Sequence, residues 1–206
     1  MSYAYDPNTA VAALRAADAR LGRMIERIGD FRLRDQSAMT PFQALLRSII
    51  YQQLSGKAAG SIHARVQALF PAKRPNPKRL MSLSDEELRG AGLSRGKVLA
   101  VRDLAARCLD GTVPHRTRLG NMDDDAIVRE LIKVRGIGRW TAEMLLIFNL
   151  GRPDVLPVDD LGVRRGFMRT FGGGELPDAQ KMLARGRRWR PYRSVASWYL
   201  WRASEL

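Results

Sequence analysis

Hydrophobic residues recur every three to four positions along most of the chain, which is the spacing of one face of an α-helix. The clearest run follows Thr40 and consists of Phe42, Leu45, Leu46, Ile49 and Ile50. No segment shows the convincing alternation of apolar and polar residues that a half-buried β-strand requires. The pattern therefore predicts an all-α protein of roughly ten short helices.

Several helices also carry a recognisable start. Thr40 is followed by Pro41 and, three residues on, by Gln43, which is a capping box. Ser84 with Glu87 forms a second box, and Thr9 is expected to cap one N-terminal helix that runs on to Ile28. Further helices are predicted near Ser94, Asp123–Val134, Thr141–Leu150, Asp160–Phe171, Pro177–Arg185 and Pro191–Ala203.

The charge balance narrows the class of partner. Lys and Arg number 35 against 21 Asp and Glu, so the 206-residue chain has a formal charge of +14. Such a surplus favours a polyanion, either nucleic acid or an acidic membrane surface. Cys108 is the single cysteine and only two histidines are present, which excludes an intramolecular disulfide and an iron–sulfur cluster held by this chain's cysteines.

The sequence offers no support for a membrane protein. Residues Met1–Pro7 lack the basic and apolar regions of a signal peptide, and no apolar run approaches the roughly 18 residues of a membrane span. We therefore expect an intracellular protein, cytoplasmic or associated with the nucleoid.

The most informative segment is the tight link Gly136-Ile137-Gly138 between two predicted helices. Glycines on both sides of one aliphatic residue allow the backbone amides and the following helix N-terminus to face a phosphate directly. Arg135 and Arg139 add positive charge on either side. The segment by itself could also be an ordinary connection between two antiparallel helices.

The surrounding sequence resembles the endonuclease III superfamily of helix–hairpin–helix DNA glycosylases. In that family a Gly/Pro-rich connection and an essential aspartate follow the hairpin, and Gly151–Asp160 supplies both. Three more segments are similar to the AlkA-like 3-methyladenine DNA glycosylase II branch, and the likeness spans about residues 35–203. They are Ile49–Ser55, Gly92–Lys97 and Trp189–Ser194.

The resemblance implies a two-lobed helical fold without the N-terminal β-domain of longer relatives. One lobe would comprise residues 40–148, and the other would join residues 1–39 to 149–206, with DNA in a cleft between them. It also assigns the catalytic position to Asp160, with Asp159 at or next to the helix N-cap. Asp159 is the alternative should the register differ by one, and both could be simple caps.

The resemblance implies a role for several other residues. Gln53, with Leu54 beside it, corresponds to the wedge that fills the gap left by a flipped-out base. Trp140, Trp201 and Tyr51 are expected to line the base pocket, whereas Trp198 is expected in the core. The expected DNA-binding residues are Arg95, Lys97, Arg135, Gly136, Ile137, Gly138, Arg139 and Thr141.

Two implications concern chemistry. Trp140 stands where bifunctional relatives carry the lysine that cleaves the strand, so the resemblance implies a glycosylase without lyase activity. It also allows an alkali ion, Na⁺ or K⁺, on the backbone carbonyls of Val134 and Ile137, with no other cofactor and no metal held by side chains.

The expected function is therefore hydrolytic release of alkylated bases of the 3-methyladenine type from damaged double-stranded DNA, by a monomer acting in base excision repair. Two alternatives stay open at this stage. The same chemistry could act on uracil, hypoxanthine or etheno lesions, or the chain could be a non-catalytic DNA-binding module.

Overall fold

The computed structural model describes residues 5–33 and 36–206. Within them the chain is helical with no β-strand, which confirms the all-α prediction. The α-helices in chain order are α1 Pro7–Ala17, α2 Ala19–Ile28, α3 Pro41–Tyr51, α4 Gly56–Ala68, α5 Pro77–Ser82, α6 Asp85–Gly90, α7 Arg95–Leu109, α8 Arg116–Gly120, α9 Asp124–Leu131, α10 Arg139–Met144, α11 Leu161–Phe171, α12 Ala179–Gly186 and α13 Arg193–Ala203.

The helices form two compact units. The central unit comprises Gln36–Leu145 and therefore contains α3 to α10. The terminal unit comprises the described residues up to Leu33 together with Leu146–Leu206, and it contains α1, α2 and α11 to α13. A π-helical turn, Leu145–Asn149, continues from the end of α10.

The core of the central unit is built on α3 and α7. The apolar face predicted for α3 is buried, with Leu45, Ile49 and Ile50 fully inaccessible to solvent. The capping box at its start is also confirmed: Thr40 Oγ1 accepts the amide of Gln43 at 3.2 Å, and Gln43 Oε1 accepts the amide of Thr40 at 3.0 Å. Local sequence alone fixes where this helix begins.

The single N-terminal helix predicted from Thr9 is wrong. Asp6, not Thr9, caps α1 by accepting the amides of Asn8 and Thr9, and Pro7 occupies the first helical position. The apolar run is then divided at Asp18, whose carboxylate accepts the amides of the first turn of α2. An aspartate that can satisfy free helical amides begins a new helix even inside a run of helical periodicity.

Asp18 also connects α2 to α12 within the terminal unit. Its carboxylate is buried and receives two hydrogen bonds from Arg185, at 2.8 and 2.9 Å, and one from Trp189 Nε1 at 3.3 Å. These hydrogen bonds lower the pKa of Asp18 even though burial alone would raise it. A buried carboxylate is tolerated here because its oxygens are paired.

Candidate active site

Asp160 is the N-cap of α11 in the terminal unit. Its Oδ1 atom accepts the Val163 amide at 2.8 Å and the indole N–H of Trp201 at 2.8 Å, and the side chain is half-buried. Val163 is fully buried, whereas Asp159 is exposed. Asp159 therefore lies next to the N-cap, one of the two places expected for it, and Asp160 itself is the cap.

The loop before Asp160 is fastened to α13 by side chains at the start of that helix. Ser194 Oγ donates to the carbonyl of Arg152 at 2.6 Å and accepts the amide of Val155 at 3.0 Å. Arg193 forms a two-pronged ion pair with Asp154, with distances of 2.6 and 2.9 Å. Because α13 also carries Trp201, one helix holds both the loop and the Asp160 carboxylate.

Trp201 is fixed on two sides. Its ring stacks on Phe148 with a centroid distance of 5.6 Å and an interplanar angle of 25°. A Cβ added at Gly162 would lie 2.8 Å from Trp201 Cδ1 and 3.2 Å from Asp160 Oδ1, so only glycine leaves room for this arrangement. The roles of Phe148 and Gly162 could not be predicted from the sequence, since they depend on contacts between distant segments.

The hairpin in the central unit has the expected backbone. Gly136 adopts a φ of 78°, in the left-handed region that favours glycine, and Gly138 is the N-cap of α10. Arg135 and Arg139 are exposed on either side of the turn. The Nε atom of Arg139 also donates to Glu143 at 3.0 Å, which orients the guanidinium.

Two residues expected to contact DNA face inward instead. Ile137 is only 4% exposed and Thr141 only 3%, and the amide of Ile137 donates to the carbonyl of Val134 at 3.0 Å. The Ile137 amide is therefore already engaged, and the side chains of Ile137 and Thr141 support the hairpin from within. Contact between a phosphate and the N-terminus of α10, to which Thr141 belongs, stays a prediction.

The segment expected to supply the wedge is a turn after α3. Gln53 and Leu54 are both exposed, and Gln53 has a φ of 58°, which is rare for a residue other than glycine. We call Gln52–Leu54 the wedge turn.

The two expected DNA-binding cations near the start of α7 differ in exposure. Arg95 is exposed, but Lys97 is half-buried and donates to the carbonyls of Ile50 and Gln52 at 2.6 and 2.9 Å.

The comparisons with known proteins identify the family. Residues 46–191 match the family described as "HhH-GPD superfamily base excision DNA repair protein". The chain belongs to the HhH-GPD superfamily. This confirms the resemblance that the hairpin, the loop and the aspartate indicated.

One sequence relative and two solved structures are similar to nearly the whole chain. DNA-3-methyladenine glycosylase 1 of Schizosaccharomyces pombe is 31% identical, with 94% of this chain and 86% of that protein aligned. The structure of S. pombe Mag1 in complex with abasic DNA aligns with a TM-score of 0.87 at 30% identity, covering 96% of this chain and 97% of that one. A DNA-3-methyladenine glycosidase from Bacillus halodurans gives a TM-score of 0.87 at 38% identity, covering 98% and 91%.

Trp140 and Tyr51, the two pocket candidates in the central unit, differ in exposure and in their neighbours. Trp140 is 44% exposed at the start of α10. The Arg47 guanidinium lies 4.0 Å from the centroid of the Tyr51 ring. The ring centroids of Tyr51 and His63 are 6.1 Å apart. A cation already on one face makes Tyr51 a poor platform for a positively charged base, so Trp140 is the stronger pocket candidate of the two.

Burial shifts the pKa of one histidine and of the cysteine. Burial and, to a smaller extent, the charge of Arg47 lower the pKa of His63. Burial raises the pKa of Cys108 to about 12, which keeps it a thiol. In residues 5–33 and 36–206 no three His, Cys, Asp or Glu side chains cluster as metal ligands, and no helix is long and apolar enough to cross a membrane.

The predicted alkali ion would use backbone oxygen atoms. The Val134 carbonyl already accepts the Ile137 amide, which leaves its second lone pair for a cation. Carbonyl oxygen is a suitable ligand type for a hard cation. The ion itself stays a prediction.

The hydrogen bond from Trp201 to Asp160 leads to a testable expectation. Replacing Trp201 with phenylalanine keeps an aromatic ring beside Phe148 but removes the indole donor. We expect the rate of bond cleavage to fall by roughly 10- to 150-fold, because a hydrogen bond to a charged group contributes about 1.5–3 kcal/mol. Single-turnover assays with saturating enzyme measure this loss, and an unchanged rate would show that the donor does not orient Asp160.

Proposed function

We propose that the chain is a DNA glycosylase that hydrolyses the N-glycosidic bond of alkylated bases in double-stranded DNA, as a step of base excision repair. The observation that carries the proposal is the Asp160 carboxylate, held by the Val163 amide and the Trp201 indole in a chain of the HhH-GPD superfamily. The relatives named as 3-methyladenine glycosylases support the class of substrate.

One carboxylate is sufficient for this chemistry when the leaving base is cationic. As the bond between the base and C1′ breaks, its electron pair leaves with the base and positive charge develops on the deoxyribose. The Asp160 carboxylate stabilises that charge and accepts one proton from the water whose oxygen bonds to C1′, which leaves a hydroxyl group at C1′. An alkylated purine is already positively charged, so no second acid is needed to protonate it.

The target base must leave the duplex before it can react. We propose that Gln53 and Leu54 occupy the space it vacates. We also propose that Trp201, beside Asp160, stacks on the base, which is favourable for a cationic ring by about 0.5–2 kcal/mol. Arg95, Arg135, Arg139 and the backbone at Gly136 and Gly138 would hold phosphates. Because such contacts release counterions, binding should weaken steeply as salt rises.

We also propose that the enzyme is a monomer without lyase activity, of the type II branch. Strand cleavage requires an amine that forms a Schiff base with the sugar, and Trp140 occupies the position where the resemblance places that lysine. Borohydride added during the reaction should therefore trap no covalent protein–DNA product. A trapped product on damaged DNA would contradict this part of the proposal.

The proposed substrate class is tested by comparing defined lesions in one assay. Duplex DNA methylated in vitro and duplexes carrying uracil, hypoxanthine or an etheno adduct are incubated with excess enzyme, and the released bases are identified by chromatography. We expect methylated purines to be released fastest. Faster release of another lesion would change the assigned substrate, and binding without any release would favour a non-catalytic DNA-binding module.

A further inference from the structure

Helix α7 contacts both elements of the central unit that the proposed function assigns to DNA. Near its N-terminus, Lys97 donates to the carbonyls of Ile50 and Gln52 at 2.6 and 2.9 Å. These carbonyls lie at the end of α3, where the last oxygen atoms of a helix have no partner within the helix. The Lys97 ammonium therefore caps α3 at the point where the wedge turn begins.

The wedge turn needs such support because of its backbone. The left-handed conformation of Gln53 costs about 1–3 kcal/mol for a residue other than glycine, and it persists only when the surroundings fix it. Lys97 holds the carbonyl immediately before Gln53. The Gln52 side chain adds a second restraint, since its Nε2 atom donates to the carbonyl of Gly136 at 2.9 Å.

The same helix also holds the hairpin. Asp103, two turns after Lys97, accepts the backbone amide of Arg135 at 2.7 Å through its Oδ2 atom. Between them, Ala100 packs so closely on the hairpin that a Cβ added at Gly136 would lie 3.3 Å from the Ala100 Cβ atom. Residues at a spacing of three lie next to each other on a helix, so one side of α7 contacts both the wedge turn and the hairpin.

We propose that Lys97 is a positioning residue for base extrusion: it fixes the wedge turn relative to the hairpin through α7 and is not a phosphate ligand. This corrects the sequence-based prediction for Lys97 and rests on the proposed glycosylase function. With two of its three donors on backbone carbonyls, the ammonium acts on DNA through Gln53 and Leu54. Loss of the ammonium should therefore impair extrusion and leave phosphate binding intact.

Arg95 provides the matched control, because it is a nearby cation on the same helix that is exposed. Lys97→Met should lower the single-turnover rate about tenfold and leave the slope of log K against log salt unchanged. Arg95→Met, which removes a proposed phosphate contact, should reduce that slope by about 0.9. A slope reduced by about 0.9 in Lys97→Met, with the full rate retained, would make Lys97 a phosphate ligand and overturn the proposal.

A double-mutant cycle separates positioning from a general loss of structure. In a chain carrying Gln53→Gly and Leu54→Ala the wedge side chains are absent, and Lys97→Met should then have almost no further effect. A full tenfold effect in that background would contradict the proposal. Gln52→Ala gives a second test that leaves Lys97 in place, and its effect should likewise disappear without the wedge.

Base extrusion is followed separately by the fluorescence of 2-aminopurine placed next to the lesion. Extrusion does not require bond cleavage, so this signal tests Lys97 even if the wild-type chain releases no base. If the wild-type chain released no damaged base, only the proposed function would be contradicted. A normal extrusion signal in Lys97→Met would contradict the positioning role alone.

Discussion

Replacing Asp160 with asparagine is expected to lower the single-turnover rate of base release by about 10²- to 10³-fold, the usual effect of removing one group that stabilises transition-state charge. Asparagine keeps an oxygen atom that can accept both the Val163 amide and the Trp201 indole. The substitution therefore removes the negative charge while the cap of α11 is retained. The folded structure and the affinity for duplex DNA should change little.

Asp159→Asn is the matched control for this experiment. It removes the same charge one residue away, from an exposed side chain that does not cap α11. We expect this variant to keep most of the wild-type rate. If Asp159→Asn lost activity and Asp160→Asn did not, the catalytic position would have been assigned to the wrong aspartate.

Gly166→Ala is expected to have the largest effect on stability. A Cβ added at Gly166 in α11 would lie 1.8 Å from the carbonyl oxygen of Leu200 in α13, so the two helix backbones would have to separate. Alanine gains up to about 1 kcal/mol of helix propensity, but a clash with backbone cannot relax as a side chain would. We expect a net loss of about 3 kcal/mol or more in the free energy of unfolding.

Thermal unfolding measures this effect, and Gly96→Ala is the control. A loss of about 3 kcal/mol lowers the midpoint by roughly 6–12 °C in a protein of this size. Gly96 is also helical, but a Cβ there has no atom within 4 Å, so its replacement should be neutral or slightly stabilising. Equal midpoints for the two variants would show that α11 and α13 are not held at this close distance.

The sequence predicted well those features that depend on neighbouring residues. The capping box at Thr40 and the tight hairpin at Gly136 involve residues a few positions apart, and both are present. Periodicity predicted one helix through Asp18, because the apolar pattern continues across the residue that divides it. An aspartate inside an amphipathic run is a helix boundary that periodicity alone does not reveal.

Features that depend on distant residues could not be predicted. The family motif indicated Asp160, but its partner Trp201 lies 41 residues away and was expected only to stack on a base. Lys97 was grouped with the phosphate contacts because sequence shows the charge of a side chain and not its partners. In the structure that charge is directed to the carbonyls at the end of α3.

The most direct test of the glycosylase assignment is to follow both products from one duplex that carries a single methylated purine. With excess wild-type enzyme, mass spectrometry should detect the free methylated base and an unbroken strand with an abasic site, formed at the same rate. A duplex that is bound but releases no base would contradict the central claim.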